Sequence, residues 1–252
     1  MDALVLFGSL LILILIGMPI AISLCLSSTI TILLFGTSTL LFQVRSIVTA
    51  VNSYPLLAIP LFILAGDLMY TGGLSKRLVN MVDAFLGSIK ASLAYVTVIA
   101  STFFGAISGS GTAAASAMGS IIGPIEKEEG YDPSFSAAVN VATAPTGLLI
   151  PPSNVMITFS LVSGGASVAA LFMAGYIPGI LWGLACMAVV YFMAKKRGYR
   201  STAKYSAAEA FKIFLQALPC LLLIIIVIGG IIAGVFTATE GSVVAVVYSL
   251  IL

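Results

Sequence analysis

Between Gly105 and Asn154, two helix-breaking and nearly uncharged segments flank a short acidic stretch. The first reads Gly105-Ala-Ile-Ser108-Gly109-Ser110-Gly111-Thr112, and the second Ala144-Pro145-Thr146-Gly147-Leu-Leu-Ile150-Pro151-Pro152-Ser153-Asn154. Both lie inside apolar sequence long enough to enter a bilayer, where a backbone group without a partner costs several kcal/mol. Broken backbone at that depth persists only where protein or a water-filled cavity surrounds it. Discontinuous helices of this kind build the substrate and ion sites of secondary transporters near the membrane midplane. The two breaks therefore predict an all-α, polytopic membrane fold built for transport.

Composition narrows the function classes. Hydrophobic residues make up 60% of the 252 positions and charged residues 8%, against about 25% charged in a soluble domain. The net charge of +2 is small and the basic residues are scattered through the gaps between apolar runs, as snorkelling anchors should be. Nucleic acid is not an expected partner; the lipid bilayer is. The absence of His excludes a Ser-His dyad, a haem His ligand and a His-containing zinc site. Cys25, Cys186 and Cys220 each stand alone in apolar sequence and read as small hydrophobes. No G-x-x-x-x-G-K-[ST] occurs, so energy must come from an ion gradient or another subunit. The first apolar run has neither a positive n-region nor a small-residue cleavage site and reads as a retained membrane segment.

Along the chain, Leu4 to Phe35 is interrupted at Gly17-Met18-Pro19. It is too long for one upright span of about 20 residues and short for two, so a steep kinked helix and a tight helical pair both fit. Leu56 to Tyr70 is the next span, and Thr71 to Lys90 turns amphipathic, as a helix lying along the interface would. Ala91 to Ile125 carries no charge and its middle is Gly, Ser, Ala and Thr. It reads either as one tilted helix with small residues for close packing or as a re-entrant hairpin with its tip at Ser108 to Gly111. The positive-inside rule favours the hairpin, which puts Lys76, Arg77, Lys90 and the Lys195 to Lys212 cluster on one, cytoplasmic, face. Glu126-Lys127-Glu128-Glu129 reads as a solvated loop, Pro133 to Gly165 as a broken crossing and Ala169 to Ala194 as a further one. Ser201 to Gln216, with Lys204, Glu209 and Lys212, reads as a second amphipathic connector, followed by a span from Ala217 to Phe236. Glu240 opens another that is still running at Leu252, which suggests the first half of a longer chain. Asp67 and Glu240 read as structural partners of neighbours or backbone amides, and Trp182 has no specific role.

The chemistry of the breaks points to a cation. Half-helices that end at a Gly/Ser tip expose carbonyls and hydroxyls, and each Pro of the second break removes an intrahelical hydrogen bond. Oxygen donors suit a hard cation such as Na⁺. No carboxylate lies between Asp83 and Glu126 or between Pro133 and Ala194, so a proton relay there lacks a carrier. The half-helix amino termini after Ser110 and Pro152 favour an anionic substrate. Thr146 and Asn154, with Gly109 and Ser153 beside them, are the candidate substrate contacts. A channel and a proton-coupled transporter subunit remain as alternatives. An intramembrane hydrolase is disfavoured because Ser110 has no His, and no Lys or carboxylate in its apolar segment, to activate it.

The joint pattern of Gly105-x-x-Ser108-Gly-Ser110, Gly119, Pro124, Gly130-Tyr131-Asp132 and Gly147-x-x-Ile150-Pro151-Pro152-Ser153 resembles the large membrane subunit of tripartite ATP-independent periplasmic (TRAP) transporters. The resemblance implies an elevator-type fold, with scaffold helices and an amphipathic interfacial arm over 1–90. A transport domain over 91–194 comprises the re-entrant hairpin 91–125, the broken helix 133–165 and the following helix 169–194. A connector and the start of a second inverted repeat fill 195–252. It implies Na⁺-driven import of an organic acid, commonly a C4-dicarboxylate or sialic acid, across the bacterial inner membrane. The implied partners are a small four-helix membrane subunit and a periplasmic substrate-binding protein. One sodium site of the family maps onto Ser108, Ser110, Gly147, Ile150 and Pro152.

Overall fold

The computed structural model describes residues 1–199 and 205–252, which contain helices and no strand. Two units emerge, residues 1–53 and 54–252. Arg200 and Lys204, both part of the expected basic cluster and connector, lie outside the described residues.

In the first unit, α1 (Asp2–Leu15) and α2 (Ile20–Phe35) are joined through Gly17, at φ +89°, and Pro19. They pack side by side, so the interrupted run is a tight pair and not a kinked helix. Each is short: the 14 residues of α1 span about 21 Å, less than the roughly 30 Å hydrocarbon core. Thr39 caps α3 (Leu40–Val51) by accepting the Phe42 N–H at 3.2 Å. Gln43 ties α3 to α2, its Nε2 donating to the Cys25 carbonyl at 3.0 Å.

The second unit begins with a 3-10 turn (Tyr54–Leu57) that leads into α4 (Ala58–Thr71). The amphipathic α5 (Leu74–Leu86) follows and buries Leu74, Leu78, Met81 and Val82 against the helices Ser92–Ser108 and Ala207–Ile232 while Lys76 and Arg77 stay exposed. Then come α6 (Ser92–Ser108) and α7 (Gly111–Glu128). The Thr97 hydroxyl, near the start of α6, donates to Glu126 Oε1, near the end of α7, at 3.2 Å. Along one straight helix those residues would lie about 43 Å apart. The segment is therefore an antiparallel hairpin, turning at Gly109 in the left-handed region (φ +63°).

The expected broken crossing is α8 (Pro133–Thr143), α9 (Thr146–Leu149) and α10 (Asn154–Val162), with a 48° bend between Pro133–Leu149 and Asn154–Val162. The 30-residue α11 (Val168–Arg197) is followed by α12 (Ala207–Ile232) and α13 (Ala238–Ile251), which packs on α4. Tyr54–Thr71, Val168–Arg197 and Ala207–Ile232 are each long and apolar enough to cross a bilayer, and the bent pair makes up to a fourth. Large side chains such as Ile177, Phe192 and Ile225 are more than half exposed, as lipid-facing surfaces require.

Three expectations are corrected. Helix α12 runs unbroken through Gln216 and Ala217, because Ser206 and Glu209 form a capping box that starts the helix well before the apolar stretch. Glu126 is not in a solvated loop: α7 continues through it, and it is 3% exposed. Trp182 has a definite role, described below. Glu240 acts as expected, its carboxylate taking the Thr237 N–H at 2.8 Å in a second capping box.

Candidate functional site

The two breaks meet. The Asn154 backbone N–H, first in α10, donates to the Gly109 carbonyl at the hairpin tip at 3.1 Å. The Asn154 Nδ2 reaches the Ser108 carbonyl at 3.4 Å. A Cβ placed on Gly109 would lie 3.0 Å from the Pro152 carbonyl oxygen and 3.1 Å from Asn154 Oδ1. One turn back along α6, Gly105 faces Gly147 so closely that a Cβ on Gly147 would sit 2.7 Å from the Gly105 Cα. On the other arm, a Cβ on Gly111 would meet the Ala144 carbonyl at 2.8 Å. The contact between hairpin and broken helix is thus backbone against backbone, and glycine is what makes it possible.

Capping explains why the chain turns where it does. Ser110 accepts the Ala113 N–H at 3.3 Å and starts α7; Ser153 accepts the Met156 N–H at 3.3 Å and starts α10. At the second break Pro145 supplies no N–H, so the last turn of α8 lacks its regular closure. One residue beyond the Val141 carbonyl that Pro145 leaves without its helical donor, the Ala142 carbonyl accepts the Trp182 indole N–H of α11 at 2.8 Å and lies 3.6 Å from Cys186 Sγ. Trp182 thereby pins α11 to the broken helix.

Each break brings together a helix carboxyl terminus, rich in free carbonyls, and a helix amino terminus with partial positive charge. The ends of α6 and α9 suit a cation; the starts of α7 and α10 suit an anion. Among side chains, the informative atom is Asn154 Oδ1, which is buried and makes no hydrogen bond. A buried acceptor without a donor is costly unless something positive faces it, and a dehydrated Na⁺ would do so.

The sequence-predicted residues divide into two groups. Ser108 (0% exposed), Gly109, Pro152 and Asn154 converge at the joint, with Ser110 capping the next helix. The Ser108 hydroxyl has only a long contact, 3.4 Å, with the Ser110 backbone. Gly147 lies at the backbone crossing, and the Ile150 side chain packs toward Gly179 of α11. Thr146 and Ser153 are buried, and their hydroxyls are committed within the fold. Thr146 donates to the Thr143 carbonyl at 2.7 Å and contacts Thr102 at 3.2 Å. Ser153 donates to the Leu148 carbonyl at 2.6 Å. Both hold the break in shape and leave no free proton for a ligand.

Sequence reasoning overlooked the supporting glycines. Gly66 of α4 lies against Ser108, where an added Cβ would be 2.6 Å from the Ser108 Cβ. Gly175 and Gly179 of α11 lie against Leu149 and Ile150. The signal was present as Gly175, Gly179 and Gly183 at four-residue spacing, the small-residue stripe of close membrane-helix packing.

At the opposite end of the hairpin, Arg197 forms an ion pair with Asp132, and its guanidinium lies 5.2 Å from the Phe135 ring centroid. Tyr199 stacks on Tyr131 at 4.1 Å and accepts the hydrogen bond of its Asp132 neighbour's N–H at 3.1 Å. The Arg197 hydrogen bond holds the Asp132 carboxyl below its usual range.

Residues 7–252 match the family described as tripartite ATP-independent periplasmic transporter, DctM component. The chain is 50% identical to the uncharacterized protein YgiK of Salmonella typhimurium over 98% of its own length and 58% of the relative. It is 41% identical to the isethionate TRAP transporter permease protein DctMQ of Oleidesulfovibrio alaskensis, covering 98% of this chain and 39% of that one. With the sialic acid TRAP transporter large permease protein SiaM of Vibrio cholerae it shares 36% identity over 94% of its length and 55% of the relative. The chain spans about half the length of the curated relatives it matches.

Proposed function

The chain belongs to the DctM family of tripartite ATP-independent periplasmic transporters, and from that premise we propose that it forms the ion-binding half of a Na⁺-coupled importer of organic acids. It is a permease component and not an enzyme. The observation that carries the coupling is the joint itself, where two broken helices present neutral oxygens around the unpaired Asn154 Oδ1. Na⁺ is a transported ion in this reading, held by Ser108, Ser110, Gly147, Ile150 and Pro152, with Asn154 added to the set. The helix amino termini that follow Gly109 and Pro152 face the anionic substrate, while Thr146 and Ser153 position the break.

The protein sits in the bacterial inner membrane with a small four-helix subunit, and a periplasmic binding protein delivers the substrate. That substrate is an organic acid of the C4-dicarboxylate or sialic acid class; the relatives named for sialic acid and isethionate agree in being permeases for organic anions. Binding of Na⁺ closes the hairpin tip onto the broken helix, and the loaded domain moves past the scaffold in an elevator step. One net positive charge moving inward across 100 mV yields about 2.3 kcal/mol, enough for roughly fifty-fold accumulation. Import from scarce medium therefore needs more than one Na⁺ per anion.

The test is radiolabelled organic-acid uptake by the full-length protein, reconstituted with both partners under an imposed Na⁺ gradient. Na⁺-dependent uptake that is lost in Ser108→Ala/Ser110→Ala and weakened in Asn154→Ala is expected. Uptake indifferent to Na⁺, or surviving the double substitution, would move the coupling site elsewhere and reopen the proton-coupled and channel readings.

A further inference from the structure

A second cluster of oxygen donors lies at the base of the hairpin, remote from the tip. Glu126 is 3% exposed, and no Lys or Arg nitrogen among the described residues comes within 4.0 Å of it. Its hydrogen-bond partners are the Thr97 hydroxyl at 3.2 Å, whose proton is shared with the Leu93 carbonyl at 3.0 Å, and the Ser136 hydroxyl. A buried carboxylate without a counter-charge is destabilising by several kcal/mol. It lines a cavity of about 270 Å³ between α6, α7 and α8, with Lys127, itself exposed, also on the wall.

Three other buried polar atoms line that cavity: the Ser136 hydroxyl, which is turned to the Glu126 carboxyl, the hydroxyl of Tyr131 (4% exposed), which meets the Leu93 backbone, and Asn140 Oδ1, which makes no hydrogen bond. The hydroxyls are able to donate to a carboxylate. Asn140 Oδ1 cannot, and its orientation is fixed because Asn140 Nδ2 donates to the Ala115 carbonyl at 2.8 Å. With Glu126 ionised, it and Asn140 Oδ1 are two acceptors that cannot pair with each other and together call for a positive occupant. One carboxylate balances one positive charge, all donors are oxygen, and the donor set suits a hard monovalent ion. The volume exceeds that of a bare ion and admits several waters at about 30 Å³ each.

We propose that this cavity binds a hydrated monovalent cation, Na⁺ in the first instance, between Glu126 of α7, Thr97 of α6 and Ser136 and Asn140 of α8. The ion ties the base of the hairpin to α8, independently of any ion at the tip.

Equilibrium ²²Na⁺ binding to the purified full-length protein tests this. Glu126→Gln is expected to bind one ion fewer than wild type, and Ser108→Ala/Ser110→Ala to retain the ion that Glu126→Gln loses. Asn140→Ala, which keeps the carboxylate, is expected to bind that ion roughly tenfold more weakly, and it serves as the readout if Glu126→Gln does not elute as a monodisperse protein. Unchanged Na⁺ count and affinity in both Glu126→Gln and Asn140→Ala would overturn the proposal. So would an unchanged count together with one fewer titrating proton in Glu126→Gln, which would show that Glu126 is held neutral by protonation. Loss of ions only in the tip variant would sustain the tip site and reject this one, so the two readings fail separately.

Discussion

The hairpin has two ends built on different principles. Its tip is held by backbone: Gly105 against Gly147, Gly111 against Ala144, and the Asn154 N–H on the Gly109 carbonyl. Its base is held by side chains: the Asp132–Arg197 pair, the Tyr131–Tyr199 stack and buried Glu126. A joint made of glycine backbone fixes distance tightly and tolerates no added atom. A joint made of side chains is adjustable and responds to charge. This contrast implies that substitutions of one carbon should matter most at the tip, and changes of pH most at the base.

The largest effect is expected for Gly147→Ala, whose methyl group would meet Gly105 backbone that cannot swing aside. A loss of about 1–3 kcal/mol from overpacking, with uptake falling to background, should appear in thermal unfolding and in reconstituted transport. Next comes Gly109→Ala, where the left-handed φ of +63° carries a penalty of about 1–2 kcal/mol. Trp182→Phe removes the bond to the Ala142 carbonyl and should lower stability by about 1 kcal/mol, with a looser break seen as faster amide exchange in α10. On the same hairpin, Gly123 has nothing within 4 Å of its would-be Cβ. Gly123→Ala is therefore expected to stabilise by about 0.4–1 kcal/mol, and a destabilisation as large as that of Gly147→Ala would break the comparison.

The smallest effect concerns the base. Because the Arg197 hydrogen bond lowers the folded-state pKa of Asp132, that contact contributes above the ordinary carboxylate range and is lost as pH falls through the folded-state value. Wild type should unfold at a higher temperature than Asp132→Asn near neutrality, and the two should converge under acid. A gap that persists at low pH would mean the pair adds nothing through its charge.

The breaks and the helical class were legible because Gly, Ser and Pro act locally, at the positions where they stand. The pairing of α1 with α2 was half legible: the interruption at Gly17 and Pro19 showed, but not whether the chain bent or doubled back. Glu126 was misread because four consecutive charged residues resemble a solvated stretch, and only the antiparallel return of α7 onto Thr97 buries it. The start of α12 was masked because a capping box and a mean apolar pattern are different signals, and the cap governs where a helix begins. The role of Trp182 depends on a carbonyl 40 residues away, which no local pattern reveals.

The hydrogen bond from Asn154 to the Gly109 carbonyl makes one proton a witness to the joint. That amide is protected only while hairpin and broken helix stay together, since its partner belongs to the other element. Of the three residues before it, Pro151 and Pro152 have no amide hydrogen, so Ser153 is the one neighbouring amide whose exchange must be told apart from it. A deuterium-exchange measurement on the peptide that carries Asn154, with and without Na⁺, therefore times the parting of the two elements without needing any substrate to cross.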